Sequence, residues 1–237
     1  YRDDNNNGAM EAGEEGIAGV VLTLTGTDVN GGVVNRTTTS TADGSYLFSQ
    51  LPASNAQGYT LTETQPTAYG DLPGATGTTV GTLGGVAALN SVGKIVFDAQ
   101  GGGSNYNFGE ITGSIHGTVY LDSNDNAAHD SSEPGIAGVT VILSGTDVHG
   151  ASVGKTVVTA NDGSFDFADL LVGTYTLTET QPALYEDGRE TVGTAGGSVD
   201  NSTFNSSETY NRVTTIQLAG GSSATGYLFG ERPGLVG

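Results

Sequence analysis

Two short runs of oxygen-bearing side chains carry the clearest chemical spacing in this 237-residue chain. The first is Asp3, Asn5, Asn7, Gly8, Glu11 and Glu14; the second, 119 residues later, is Asp122, Asn124, Asn126, Ala127, Asp130 and Glu133. With the first Asp as position 1, both place a carboxylate or carboxamide at positions 1, 3, 5, 9 and 12. Position 7 is Ala9 or Ala128, which offers a main-chain carbonyl. The EF-hand loop uses this spacing to wrap a hard cation in carboxylate, amide and carbonyl oxygens. The expected ion is Ca2+, at least one per copy. Copy one satisfies every position, whereas copy two has Ala127 where glycine makes the sharp turn. A left-handed alanine costs roughly 1 kcal/mol more than glycine, so the second site is expected to be weaker or slightly reshaped. The plainer reading is an Asp/Asn-rich surface turn; a match duplicated at every ligand position favours ligation.

The flanks of these loops are not helical. Val119, Tyr120 and Leu121 lead into the second, and Glu15-Gly16 or Pro134-Gly135 leads out. Each loop is therefore expected to hang from a β-strand and to play a structural part. The duplication reaches well beyond the loops. Gly-Ile-Ala-Gly-Val recurs at 16–20 and 135–139, Gly-Thr-Asp-Val at 26–29 and 145–148, and Asp-Gly-Ser at 43–45 and 162–164. Tyr-Thr-Leu-Thr-Glu-Thr-Gln-Pro recurs at 59–66 and 175–182, and Phe-Gly-Glu at 108–110 and 229–231. Internal repetition of this kind fixes two domains, expected at 1–111 and 112–233, with 234–237 opening a further repeat. Ahead of its loop, copy two has the alternating run Gly-Ser-Ile-His-Gly-Thr-Val-Tyr at 113–120, of which copy one keeps only Tyr1 and Arg2. The chain thus reads as a window on a longer tandem array, its first domain lacking most of a first strand.

Thirty-nine glycines, with Val, Ile, Leu, Phe and Tyr at alternate positions, suit short strands and tight turns. Asp43-Gly44 and Asp162-Gly163 stand between apolar runs, as two-residue hairpin turns do. No stretch of ten residues shows a 3.6-residue apolar period. The expected fold class is all-β: two tandem Ig-like, prealbumin-like β-sandwiches of about seven strands each.

The ordered series of loop, Gly-Ile-Ala-Gly-Val, Asp-Gly-Ser and Tyr-Thr-Leu-Thr-Glu-Thr-Gln-Pro resembles the B-type repeat of serine-aspartate-repeat bacterial surface adhesins, relatives of the collagen-adhesin B domain. The resemblance covers nearly the whole chain, twice. It implies a prealbumin-like sandwich and a calcium-stiffened module in a stalk that holds a binding head away from a cell surface. Related pilin domains use the Glu of the Tyr-x-Leu-x-Glu-Thr motif, here Glu63 and Glu179, to promote a lysine isopeptide cross-link. The chain's lysines, Lys94 and Lys155, stand at non-equivalent places and the run 114–120 has none. Isopeptide bonds are therefore not expected, and calcium would be the substitute clamp.

Other candidates are weaker. Asp28, Asp147, Asp43 and Asp162 could complete further calcium sites, but Asp and Gly also belong in turns for conformational reasons. His116, His129 and His149 have no counterparts in copy one and no cysteine partners, which argues against a transition-metal site. Nucleophilic catalysis needs a positioned base and glycosidase chemistry a dedicated acid pair; here nearly all notable acids repeat from copy to copy, which favours a scaffold over an enzyme. Asn35, Asn201 and Asn205 begin glycosylation sequons, which matter only in a host that glycosylates exported proteins.

Twenty-six acids against seven Lys and Arg give a formal charge of −19. That surface repels nucleic acid and anionic membrane. No apolar run is long enough to span a bilayer, and there is no cysteine. The expected place is extracellular, on a bacterial surface or secreted, where millimolar calcium suits weak sites. The expected role is a semi-rigid stalk whose partners are neighbouring repeats of the same chain. One alternative is a filament or surface-layer subunit that self-assembles by strand complementation. Another is a carbohydrate- or protein-binding module using the unequal loops 70–92 and 186–210.

Overall fold

The computed structural model describes residues 1–199 and 211–234. The further repeat expected at 234–237 and the sequons at Asn201 and Asn205 lie wholly or almost wholly outside them. The described residues contain strands and no helix. The chain divides into two compact units, Tyr1–Ile111 and Thr112–Gly237.

The second unit is a two-sheet sandwich. Its strands are β10 (Gly113–Leu121), β11 (Thr140–Asp147), β12 (Ser152–Val158), β13 (Ser164–Leu170), β14 (Gly173–Glu179), β15 (Tyr185–Thr191), β16 (Ser198–Val199), β17 (Arg212–Leu218) and β18 (Ser223–Pro233). One sheet has the order β13-β10-β18-β15 and the other β12-β11-β14-β17-β16. β10 lies antiparallel to β13 and parallel to β18. Alternation decides which side chains meet between the sheets. Ile115 and Val119 of β10, Val141 and Leu143 of β11, Phe165 and Phe167 of β13, Tyr175 and Leu177 of β14, and Tyr227 and Phe229 of β18 share one core.

The first unit holds β1 (Val21–Thr27), β2 (Val33–Thr39), β3 (Tyr59–Glu63), β4 (Gly70–Asp71), β5 (Thr78–Thr79), β6 (Val86–Ala88), β7 (Ser91–Ile95), β8 (Asn107–Phe108) and β9 (Glu110–Ile111). Its five-stranded sheet, β2-β1-β3-β7-β6, repeats the order of the second unit's larger sheet. The other layer is reduced to the pairs β4-β9 and β5-β8. Arg2 makes a single parallel bridge to Glu110, and the counterpart of β13, residues 45–51, forms no strand.

The Asp-Gly turns are not hairpins. β12 and β13, which flank Asp162-Gly163, belong to different sheets, so this turn carries the chain from one layer to the other. It is held by Ala160 accepting from Gly163 and by Ser164 accepting from Ala160. Its position also explains another repeated motif. A Cβ on Gly135 would lie 1.8 Å from the Asp162 carbonyl oxygen, and one on Gly16 2.1 Å from that of Asp43. The glycine of Gly-Ile-Ala-Gly is thus the only residue that fits beneath the Asp-Gly turn.

Candidate metal loops and a buried carboxyl relay

Each acidic loop carries the chain from one sheet to the other. In the second unit it runs from the end of β10, in the four-stranded sheet, towards β11, in the five-stranded one. Its base is pinched by the Leu121 amide donating to Pro134, and in the first unit by the Arg2 amide donating to Glu15. Inside, the two loops make the same bonds. Asp3 Oδ1 accepts from the Asn7 amide at 3.1 Å, and Asp122 Oδ1 from the Asn126 amide at 3.0 Å. Asn5 Oδ1 accepts from Asn7 and Asn7 Oδ1 from Ala9; Asn124 and Asn126 do likewise for Asn126 and Ala128. The Glu14 carboxylate accepts from the Asp4 and Glu11 amides, and that of Glu133 from Ser123 and Asp130. These side-chain-to-amide bonds are the reason Asp and Asn occupy alternate positions: each caps the turn two to five residues on.

The sixth position differs between the copies. Gly8 has φ 77° and Ala127 φ 62°, so both are left-handed. A Cβ on Gly8 would meet the Thr76 carbonyl oxygen at 2.2 Å, whereas the Ala127 carbonyl accepts from Thr191 Oγ1 at 2.9 Å. The copy with alanine has room for it; the copy with glycine does not.

The donor set is all oxygen, which suits calcium and not a transition metal. Asp3, Asn5, Asn7, the Ala9 carbonyl, Glu11 and Glu14 would hold the ion in one loop. Asp122, Asn124, Asn126, the Ala128 carbonyl, Asp130 and Glu133 would do so in the other. A second observation fits a cation here. The Tyr1 and Tyr120 hydroxyls are buried without a hydrogen-bond partner. Desolvation raises both acidities' pKa first, and then the loop acids add to it: Asp3 and Glu14 for Tyr1, Asp122 and Glu133 for Tyr120. Among the described residues no three acidic or histidine side chains converge on one point as metal ligands. The Asn5 amide donates to Glu11, and Asn124 and Asn126 donate to Asp130; position 9 would exchange these bonds for the ion.

The secondary candidates have conformational partners. Asp28 Oδ1 accepts from Asn30 and Gly32, and Asp147 Oδ1 from His149 and Ala151. Asp43 accepts from Thr41 and Ser45, and Asp162 from Ser164, which lowers their pKa. His129 packs against Tyr120 with ring centroids 4.7 Å apart.

Beside the loops lies a feature that the sequence alone does not assemble. Glu179 of β14 and Glu231 of β18, from opposite sheets, are 2% and 1% exposed and lie within hydrogen-bonding reach of each other. Gln181 donates to Glu231, and Asn211 donates to Gln181 at 2.9 Å. The first unit repeats the whole relay: Asn90 donates to Gln65, Gln65 to Glu110, and Glu110 meets Glu63. Burial raises the pKa of Glu63, Glu110, Glu179 and Glu231. Two buried carboxyls brought together from facing sheets disfavour simultaneous ionisation. Glu190, also buried and facing Asp187, is pushed up to about 8 by desolvation and then by Asp187. The signal for the relay was the repetition of Gln-Pro and Phe-Gly-Glu, which marks the residues but not their proximity.

One cluster had no sequence signal. Ser114 and His116 lie two residues apart on β10, and Asp166 faces His116 across the strand pair. Ser114 Oγ lies 2.7 Å from His116 Nε2, and His116 Nδ1 3.1 Å from Asp166 Oδ1. The patch is partly exposed, and Leu47 stands where Asp166 would be in copy one.

The model of the SdrD B-like domain family matches residues 1–83 and 113–227. Serine-aspartate repeat-containing protein D of Staphylococcus aureus (strain Newman) is 33% identical over 189 residues, covering 78% of this chain and 13% of that protein. Serine-aspartate repeat-containing protein F of Staphylococcus epidermidis is 30% identical over 211 residues, covering 86% of this chain and 12% of that protein. The chain therefore spans about an eighth of the length of these relatives. Among solved structures, the Bacillus anthracis TIE protein aligns with a TM-score of 0.43 and 15% identity, over 94% of this chain and 32% of that one. A C-terminal fragment of the pilus adhesin SpaC from Lactobacillus rhamnosus GG aligns with 0.41 and 17%, over 92% and 91%. The family match makes the chain an extracellular, cell-surface module. The chain belongs to the SdrD B-like domain family.

Proposed function

We propose that the two units are calcium-stabilised spacer repeats in the stalk of a large surface protein, with no catalytic role. The observation that carries this reading is that the two loops keep one hydrogen-bond pattern, and each follows by two residues a tyrosine whose hydroxyl is buried without a partner, despite the change from Gly8 to Ala127. A cation in each loop would fasten the crossover between the two sheets of its unit. At calcium about 100 times the dissociation constant, a site stabilises the folded state by ~2.7 kcal/mol, a large share of a small domain's stability. Only Thr112 separates β9 from β10, which suits the semi-rigid array of the proposal.

The test is thermal unfolding with and without a chelator, with bound metal counted by titration calorimetry. A rise in Tm with at least two ions bound supports the reading. No shift and no binding reduces the loops to surface turns. Small-angle scattering unchanged by chelation removes the stiffening role while leaving the thermodynamic one.

A further inference from the structure

The outer face of the second unit's four-stranded sheet carries three side chains whose chemistry a spacer does not need. Strand alternation puts Ile115 and Val119 of β10 into the core and leaves Ser114 and His116 on the other face. The antiparallel register against β13 sets Asp166 opposite His116, and the parallel register against β18 sets Ser223 opposite Ser114. Ser114 Oγ lies 2.7 Å from His116 Nε2, and His116 Nδ1 lies 3.1 Å from Asp166 Oδ1. An ionised carboxylate only accepts, so Asp166 holds the neutral imidazole with its proton on Nδ1. The bare Nε2 is then left to accept from the Ser114 hydroxyl. Nucleophile, base and orienting acid stand in the order by which a serine is activated. The sandwich itself does not call for the acid, since Leu47 stands at the equivalent place in the first unit and is exposed.

A groove of about 580 Å³ runs along the same face, lined by His116, Thr118 and Asp166 together with Val158 and Leu228. Val158 is 61% exposed, so the groove offers an apolar wall open to solvent. We propose that Ser114 is a nucleophile that takes an acyl group from an activated ester, with the groove receiving the acyl chain. The bond from Ser114 Oγ to the carbonyl carbon forms and the ester C–O bond breaks. The hydroxyl proton passes to His116 Nε2 and from there to the departing oxygen. The acyl group then stays. Turnover needs donors aimed at the oxyanion, and the Ser114 amide is already donated to the Ser222 carbonyl. Ser223 Oγ, 3.3 Å from Ser114 Oγ, is the hydroxyl at hand. A good leaving group offsets that shortage during acylation, whereas water attacking the resulting serine ester has no such help. The site is an acyl-attachment point used once per chain, and it leaves the spacer role of the repeat intact.

The experiment treats the intact chain with p-nitrophenyl acetate, follows nitrophenolate by absorbance and locates the adduct by intact mass and peptide mapping. The expected result is a burst that leaves one acetyl group per chain, on Ser114, followed by slow loss. Ser114→Ala should abolish the burst, and His116→Gln should slow it about 100-fold. Asp166→Asn should slow it at least about tenfold at unchanged melting temperature, and the ring-nitrogen shifts of His116 should report loss of the Nδ1–H tautomer. The three side chains lie on the outer face of the sheet, and none is buried, so these variants leave the core untouched. No burst, acetyl found on lysine or the chain terminus but not on Ser114, or a burst undiminished in His116→Gln overturns the proposal. Sustained turnover of the ester overturns its single-use character, since the acyl group would then not be retained.

Discussion

The first and second units carry one repeat with the same larger sheet and unlike facing layers. In the second, β10 joins β13 to β18, and aromatic side chains from both neighbours close over it. In the first, the five-stranded sheet survives with its order intact, while the facing layer is reduced to two pairs of short strands. The comparison teaches that the order of the larger sheet goes with the repeated motifs, while the facing layer pairs fewer residues in the first unit. β13 is a strand paired to β10. Its counterpart, with aromatic and apolar residues at the same places, is not. Strand-forming residues at the same places do not by themselves make a strand.

The sharpest way to break this comparison is to truncate the same aromatic residue in each unit. Phe167→Ala empties a site that is 1% exposed and should cost about 3–5 kcal/mol. Phe48→Ala, at the half-exposed counterpart, should cost about 1 kcal/mol. Calorimetry that resolves the two transitions reads both. Equal losses would mean that the first unit's aromatic row is as well packed as the second's.

Calcium comes next. Glu14→Gln should abolish the calcium-dependent gain of the first unit alone, ~2.7 kcal/mol at a hundredfold excess over the dissociation constant. Glu133→Gln should do the same for the second. If either variant removed both gains, the loops would not act as separate sites.

The buried carboxyls should give a smaller effect, of order 1–2 kcal/mol after discounting for relaxation. Glu190 is pushed up to about 8 in the fold, against about 4.3 in an unfolded chain. The folded state therefore holds a proton that the unfolded state has lost across that interval. This contribution is fully present below about pH 4.3 and is lost as pH rises through about 8. Glu179 adds to it in the same direction, because burial and Glu231 raise its pKa. With metal held constant, the second unit's melting temperature should fall between pH 6 and 9, and Glu190→Gln should flatten that fall. A fall that persists undiminished in the variant would remove Glu190 as its source.

Much of this was legible in the sequence, because strand alternation and motif repetition are local. The loop positions were legible for the same reason: each side chain caps an amide two to five residues away. What could not be read were contacts made by crossover. The pairing of Glu179 with Glu231 joins residues from opposite sheets. The Asp-Gly turn looks like a hairpin because its two flanking runs are strand-like, yet they enter different layers. The meeting of Ser114 and His116 with Asp166 depends on the register of β10 against β13, which alternation leaves open by any even number of residues.

The smallest predicted effect is the most specific to the comparison. Ala127 and Gly8 occupy one loop position with left-handed φ in both copies. Ala127→Gly relieves the side-chain strain and should stabilise the second unit by up to about 1 kcal/mol, with tighter calcium binding. The reverse change is not its mirror image. Gly8→Ala meets the same strain and also drives a Cβ to within 2.2 Å of the Thr76 carbonyl oxygen, which is backbone and cannot swing aside. The loss in the first unit should therefore exceed the gain in the second. Paired calcium titrations of the two variants test this inequality. Equal and opposite changes would show that Thr76 yields freely, and that the two loops differ only in backbone preference.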